Sequence, residues 1–204
     1  KTNKKENDHK VIEDWLRRHR TSPITGAQLD SSAPLLSPPY TMPQTRVPPS
    51  HDLHNVSLHP AAPLSPEDQQ VQSMPDVSPT KWHRAHITWF FETFLLVPHQ
   101  PGYQPVQAAY NFLFNSYYES VGARQPRPDR GLMTRPSNDE ITEYRRRIDE
   151  SMVLFIETTA ADRPELLDLI ELGLHHEQQH QELIMMDIKH LLSRNPFSPA
   201  YRAL

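Results

Sequence analysis

Leu174-His175-His176-Glu177-Gln178-Gln179-His180-Gln181-Glu182-Leu183 is the stretch that decides how the remaining sequence is to be read. His176 and His180 stand four apart, which on an α-helix sets two imidazoles one turn apart on one face. At ~100° per residue, Leu169, Leu172, Gly173, Leu183 and Asp187 share that face, while Glu171, His175, Glu182 and Lys189 fall on the far side. Two histidines therefore point into an apolar interior and His175 looks outward. A buried pair at this spacing is a metal-site candidate.

The helix carrying the pair starts at Asp162-Arg163-Pro164-Glu165 and ends near Asn195-Pro196. Upstream, Ser137-Asn138-Asp139-Glu140 is a capping box opening a helix with Ile141, Tyr144, Ile148, Met152 and Phe155 at three- and four-residue spacing. Further back, Lys81 to Val97 is strongly apolar, and helical projection gathers Trp82, Trp89, Phe90, Thr93 and Val97 around His86, a third inward histidine. Ser65-Pro66-Glu67-Asp68 reads as a helix start, with proline at the first helical position. Between these helices the sequence predicts another over Val106 to Val121, packing through Ala109, Tyr110, Leu113, Phe114 and Tyr117, with Gly122 as its C-cap. The connection from Ala123 to Pro136 holds Arg124, Arg127, Arg130 and Arg135, either solvated charge or an anion-recognition loop. Four long helices, no strand pattern and inward histidines on the first and last of them make an all-α fold, a four-helix bundle with a polar centre.

Composition narrows the chemistry. The chain has 204 residues, 21 prolines but only 5 glycines, and no cysteine. Disulfides, thiolate metal ligands and a cysteine nucleophile are excluded, leaving histidine and carboxylates as ligands. A net charge of −4 gives no bulk electrostatic case for nucleic acid. No apolar run reaches the ~18 residues of a membrane span, so a cytoplasmic location is expected.

More than half of the prolines lie before Lys81. Residues 33–62 read as a Pro-rich linker, part of a largely disordered N-terminal segment. Before it, Val11, Ile12, Trp15 and Leu16 predict a short amphipathic helix over 8–20, followed by Thr21-Ser22-Pro23-Ile24-Thr25-Gly26. Residues 8–37 resemble the second half of a U-box, the ubiquitin-ligase module, without its first half. The expected division is thus 1–32, a helix plus turn; 33–62, a linker; and 63–204, the bundle.

His86, His176 and His180 could be hydrogen-bonded core residues, but three polar rings buried without a shared partner are costly. His176-Glu177-Gln178-Gln179-His180 also fits H-E-x-x-H, in which the glutamate of a zinc protease is the general base. Leu183 and Met186 stand where one such family needs glycine and histidine. Projection places Glu177 ~100° from His176, toward the edge of the site.

From about Leu64 to Ala203 the chain resembles the N-terminal DinB-like domain of the ergothioneine-type sulfoxide synthases and the related selenoneine synthases. The match is carried by Ser65-Pro66-Glu67-Asp68, Gln72-Ser73-Met74-Pro75-Asp76, Ser78-Pro79-Thr80-Lys81-Trp82-His83 and His86-Ile87-Thr88-Trp89-Phe90-Phe91-Glu92-Thr93-Phe94. It continues through Leu113-Phe114-Asn115-Ser116-Tyr117-Tyr118, Arg127-Pro128-Asp129-Arg130-Gly131 and the histidine stretch. The resemblance implies Fe(2+) held by His86, His176 and His180. Its implied substrates are hercynine, dioxygen and a thiol donor, cysteine or γ-glutamylcysteine (a selenium donor in the sister group). Gln179 is implied to bind hercynine, and Arg127 and Arg130 the carboxylates of the thiol, with Arg124 or Arg135 as substitutes. His83 and His175, on other faces, are expected behind the ligands or in solvent. In that family a formylglycine-generating-enzyme-like domain follows and supplies the catalytic tyrosine, so this chain alone is expected to be inactive. Two other readings remain: a degenerate U-box joined to a bundle and acting as an interaction protein, and a DinB-type hydrolase using zinc or nickel.

Overall fold

A computed structural model describes residues 60–118 and 120–202. The expected helix over 8–20, the U-box-like segment at 8–37 and nearly all of the 33–62 linker lie outside the described residues.

Among the described residues six α-helices follow one another and no strand occurs. They are α1 (Pro66–Gln70), α2 (Thr80–Phe91), α3 (Val97–His99), α4 (Tyr110–Phe114), α5 (Asn138–Phe155) and α6 (Pro164–Ser193). A π-helical turn, Glu92–Leu96, joins α2 to α3, another, Ile156–Ala160, extends α5, and a 3-10 turn, Arg127–Leu132, lies in the arginine-bearing connection. Two starts follow the sequence signals: Ser65 and Ser137 each accept from the N3 amide while Asp68 and Glu140 reach back to the cap amide. At the start of α6 Arg163 occupies the cap position without a side-chain cap, and Pro164 opens the helix.

Helix α2 lies at the centre, against α1, α4, α5 and α6. Every residue from Thr80 to Phe91 is buried, so α2 has no solvent face. Trp82, Trp89 and Phe90 form its apolar mass, each contributing roughly 1.5–3 kcal/mol by burial. Lys81, His83, Arg84 and His86 are buried with them and must find polar partners. Lys81 donates to the Met133 carbonyl, and Arg84 to Gln69 and Thr142. Val97, expected on the packing face, is exposed. Where α6 crosses α2, a Cβ on Gly173 would lie 2.7 Å from the Phe91 ring and 3.2 Å from that of Phe90. Only glycine lets the two helices approach this closely.

The helix expected over Val106 to Val121 is much shorter, Tyr110–Phe114. Its last carbonyls serve α2: Leu113 accepts from Trp82 Nε1 at 2.9 Å and Phe114 from His86 Nδ1 at 2.6 Å. Asn115 then turns the chain, accepting from the Tyr118 amide and donating to the carbonyls of Tyr118 and Gly122. Tyr118 is consequently buried and Tyr117 exposed, the reverse of a continued helix. Gly122 sits in the turn at φ +125° and caps no helix.

Candidate metal centre

Helix α6 brings His176 and His180 to its contact with α2, and α2 presents His86. The three are 1%, 1% and 4% exposed, in the order His86, His176, His180, and their ligand atoms lie within 4.8 Å of one another. Among the described residues this is the one group of three or more histidines and acids arranged to hold a metal ion. Nε2 of His86 and Nε2 of His176 are 3.2 Å apart. With metal–nitrogen bonds of ~2.1 Å, that separation corresponds to an angle of about 100° at a shared metal.

The surroundings set which nitrogens face inward. A carbonyl only accepts, so His86 Nδ1 carries a hydrogen toward Phe114 and Nε2 is left with its lone pair. His180 Nδ1 is 2.8 Å from His83 Nδ1, and His83 Nε2 is 2.9 Å from Asp187 Oδ2. The carboxylate takes the Nε2 hydrogen of His83, whose Nδ1 then accepts from His180, leaving His180 Nε2 bare. Burial holds His86 and His180 well below the usual imidazole range and pushes His176 down to about 3, so the rings are neutral. The Nε2 lone pairs of His86 and His180, bare in a closed apolar space, are donors that a cation would satisfy. Trp82 stacks on His86 at 4.7 Å, and Phe90 packs on His176 at 4.6 Å. The donor set fits a divalent transition metal bound by three imidazoles.

Arg130 is 3% exposed, over the Trp82 ring at 3.5 Å, and donates through Nη1 to Ser78 Oγ. Its Nε is buried without a hydrogen-bond partner. Burial, then Arg127 and Arg124, lower its pKa to about 9. Arg127 is half-buried, donates to the Asp76 carbonyl and lies over Tyr117 at 5.4 Å. Arg124 and Arg135 are exposed. Gln72 holds this loop, donating to the carbonyls of Val77 and Arg127 and accepting from the Gly131 amide at 2.6 Å. A Cβ on Gly131 would lie 2.6 Å from Gln72 Cβ, so that clasp requires glycine. Gln179 is half-buried between the α6 histidines in sequence, its Oε1 buried without a partner. His175 is exposed, near Gln178. A cleft of about 520 Å³ lined by Pro60, Gln181, Glu182, Met185, Tyr201 and Arg202 includes none of these histidines or arginines.

Sequence reasoning left one feature open and missed another. His83, expected on another face and either behind the ligands or in solvent, is buried behind His180. Glu177 is buried too, with both oxygens on Arg145, a partner the sequence pattern did not name. Asp187, on the histidine face by projection, was the available signal for the first. The pattern held none for the second.

A helical bundle closed over a three-histidine cluster defines the class of this protein. Residues 52–184 match the sequence profile of the DinB superfamily, and the chain belongs to that superfamily. No curated protein matches it. Among the described residues no helix is long and apolar enough to cross a membrane.

Proposed function

We propose that the chain is the iron-binding bundle of an ergothioneine-type sulfoxide synthase, working with a downstream formylglycine-generating-enzyme-like domain. His86, His176 and His180 hold Fe(2+), which supplies dioxygen activation beside a bound thiolate. Overall, a hercynine ring C–H bond and a thiol S–H bond break and a C–S bond forms. One oxygen atom ends on sulfur and the other leaves in water. Arg130 and Arg127 take the carboxylates of cysteine or γ-glutamylcysteine, and the side-chain amide of Gln179 receives hercynine. Trp82, Trp89 and Phe90 keep water out.

The observation that carries this reading is Arg130. A guanidinium that is 3% exposed, with no carboxylate paired to it among the described residues, rests on the ring that stacks against His86. A buried cation without a counter-ion, one ring from a metal centre, suits an anionic substrate delivered to that metal.

Anaerobic titration should give one Fe(2+) per chain, and His86→Ala should abolish tight binding. On the loaded protein, Arg130→Met should weaken cysteine at least tenfold and leave cysteamine, which lacks the carboxylate, unchanged. Equal affinity of both thiols for parent and variant would refute the role of Arg130. In a chain continued into the downstream domain, absence of sulfoxide from hercynine, thiol and oxygen would end the synthase assignment.

A further inference from the structure

We infer that His83 and Asp187 are positioning residues that fix and charge the His180 ligand, making it a more electron-rich donor than His86. The inference rests on the metal-centre reading.

The two helices that supply the ligands also supply this pair. His83 precedes His86 by three residues on α2, and Asp187 follows His180 by seven on α6, so each lies on its own ligand's face. The chain of contacts is continuous: Asp187 Oδ2 to His83 Nε2 at 2.9 Å, then His83 Nδ1 to His180 Nδ1 at 2.8 Å. Asp187 Oδ2 also accepts from the Ser78 amide at 3.0 Å, which locks the carboxylate in place. A carboxylate bound to the distal nitrogen of a metal-ligating histidine orients the ring and raises its basicity. Here one extra imidazole, buried with His180, passes that influence inward. His86 receives no such charge, since its outer hydrogen goes to the neutral Phe114 carbonyl. The charged arm therefore distinguishes His180 from His86, and a more basic ligand favours the ferric over the ferrous ion.

The test loads the full chain with Co(II) or iron and needs no substrate. His83→Phe should weaken Co(II) binding ~10–100-fold. His83→Gln, whose amide oxygen can accept from His180 Nδ1, should recover most of that loss, which a merely space-filling role would not predict. Asp187→Asn should keep the far-ultraviolet circular dichroism and raise the Fe(III)/Fe(II) midpoint potential. Exposed Glu182→Gln on the same helix is the control and should change neither. If His83→Phe fails to fold, the potential of Asp187→Asn decides. Parent-like Co(II) affinity, visible spectrum and potential in the variants would overturn the inference and leave the metal centre standing. A parent chain that binds no metal would overturn both.

Discussion

Glu177 faces the guanidinium of Arg145 with both oxygens, Oε1 to Nη1 and Oε2 to Nη2, each at 3.2 Å. Asp149 takes Arg145 Nε at 2.7 and 2.8 Å, so one buried arginine ties α5 to the histidine-bearing helix. The glutamate of the H-E-x-x-H string is thus committed to an ion pair, whereas a metalloprotease base must face metal-bound water. Arg145→Ala leaves two acids buried together and should cost ~3–5 kcal/mol in urea denaturation. Glu177→Gln keeps a hydrogen-bond acceptor for Arg145, so its cost should be smaller and Fe(2+) binding should survive.

Gly173 predicts a steric effect at the same helix contact. Gly173→Val sets a branched side chain where a Cβ alone would meet Phe91 at 2.7 Å. The variant should lose ~1–3 kcal/mol by thermal denaturation, and metal affinity should fall with it as α6 is pushed from α2. Gly102, where an added Cβ would meet nothing within 4 Å, is the steric control; its φ of +75° makes Gly102→Asn the suitable substitution.

The buried carboxylate of Glu92 predicts a pH effect. It accepts from Tyr103 at 2.9 Å, from the Val106 amide at 2.7 Å and from Tyr144. Burial, then the Glu92 charge and hydrogen bond, hold the Tyr144 hydroxyl well above the usual phenol range. A folded pKa raised above the unfolded one gives stability that is full below pH ~10 and lost as pH rises further. The stability gap between the parent and Tyr144→Phe should therefore narrow above that pH, by up to ~1.4 kcal/mol per unit. A gap that stays constant from pH 8 to 11 would show that the hydroxyl titrates alike in both states.

Arg130 predicts a dissociation of function from stability. Its replacement loses the stacking on Trp82 and the bond to Ser78, but also the burden of an unpaired buried cation. Arg130→Met should leave unfolding free energy within ~1 kcal/mol of the parent. A loss of several kcal/mol would instead make Arg130 a structural residue.

The all-α class and the inward turn of His86, His176 and His180 were legible because helical periodicity is local. Capping at Ser65 and Ser137 was legible for the same reason. The early end of α4 was not: its stop lies in Trp82 and His86, about 30 residues upstream, which claim the carbonyls of Leu113 and Phe114. Nor was Glu177, because projection gives a direction and no partner. Helix α6 packs on α2 and reaches α5 through the Glu177–Arg145 pair, so its buried face is wider than the arc centred on the histidines.

The bond from His86 to the Phe114 carbonyl differs in kind from the arm behind His180. A main-chain oxygen is present whatever residue occupies position 114, so substitution there can alter packing without deleting the acceptor. The support of His180 is made of two side chains and can be rewritten by one codon change at position 83 or 187. One ligand is therefore anchored to the invariant part of the polymer and the other to its variable part. Sequence drift in relatives of this protein can retune the second while the first stays fixed.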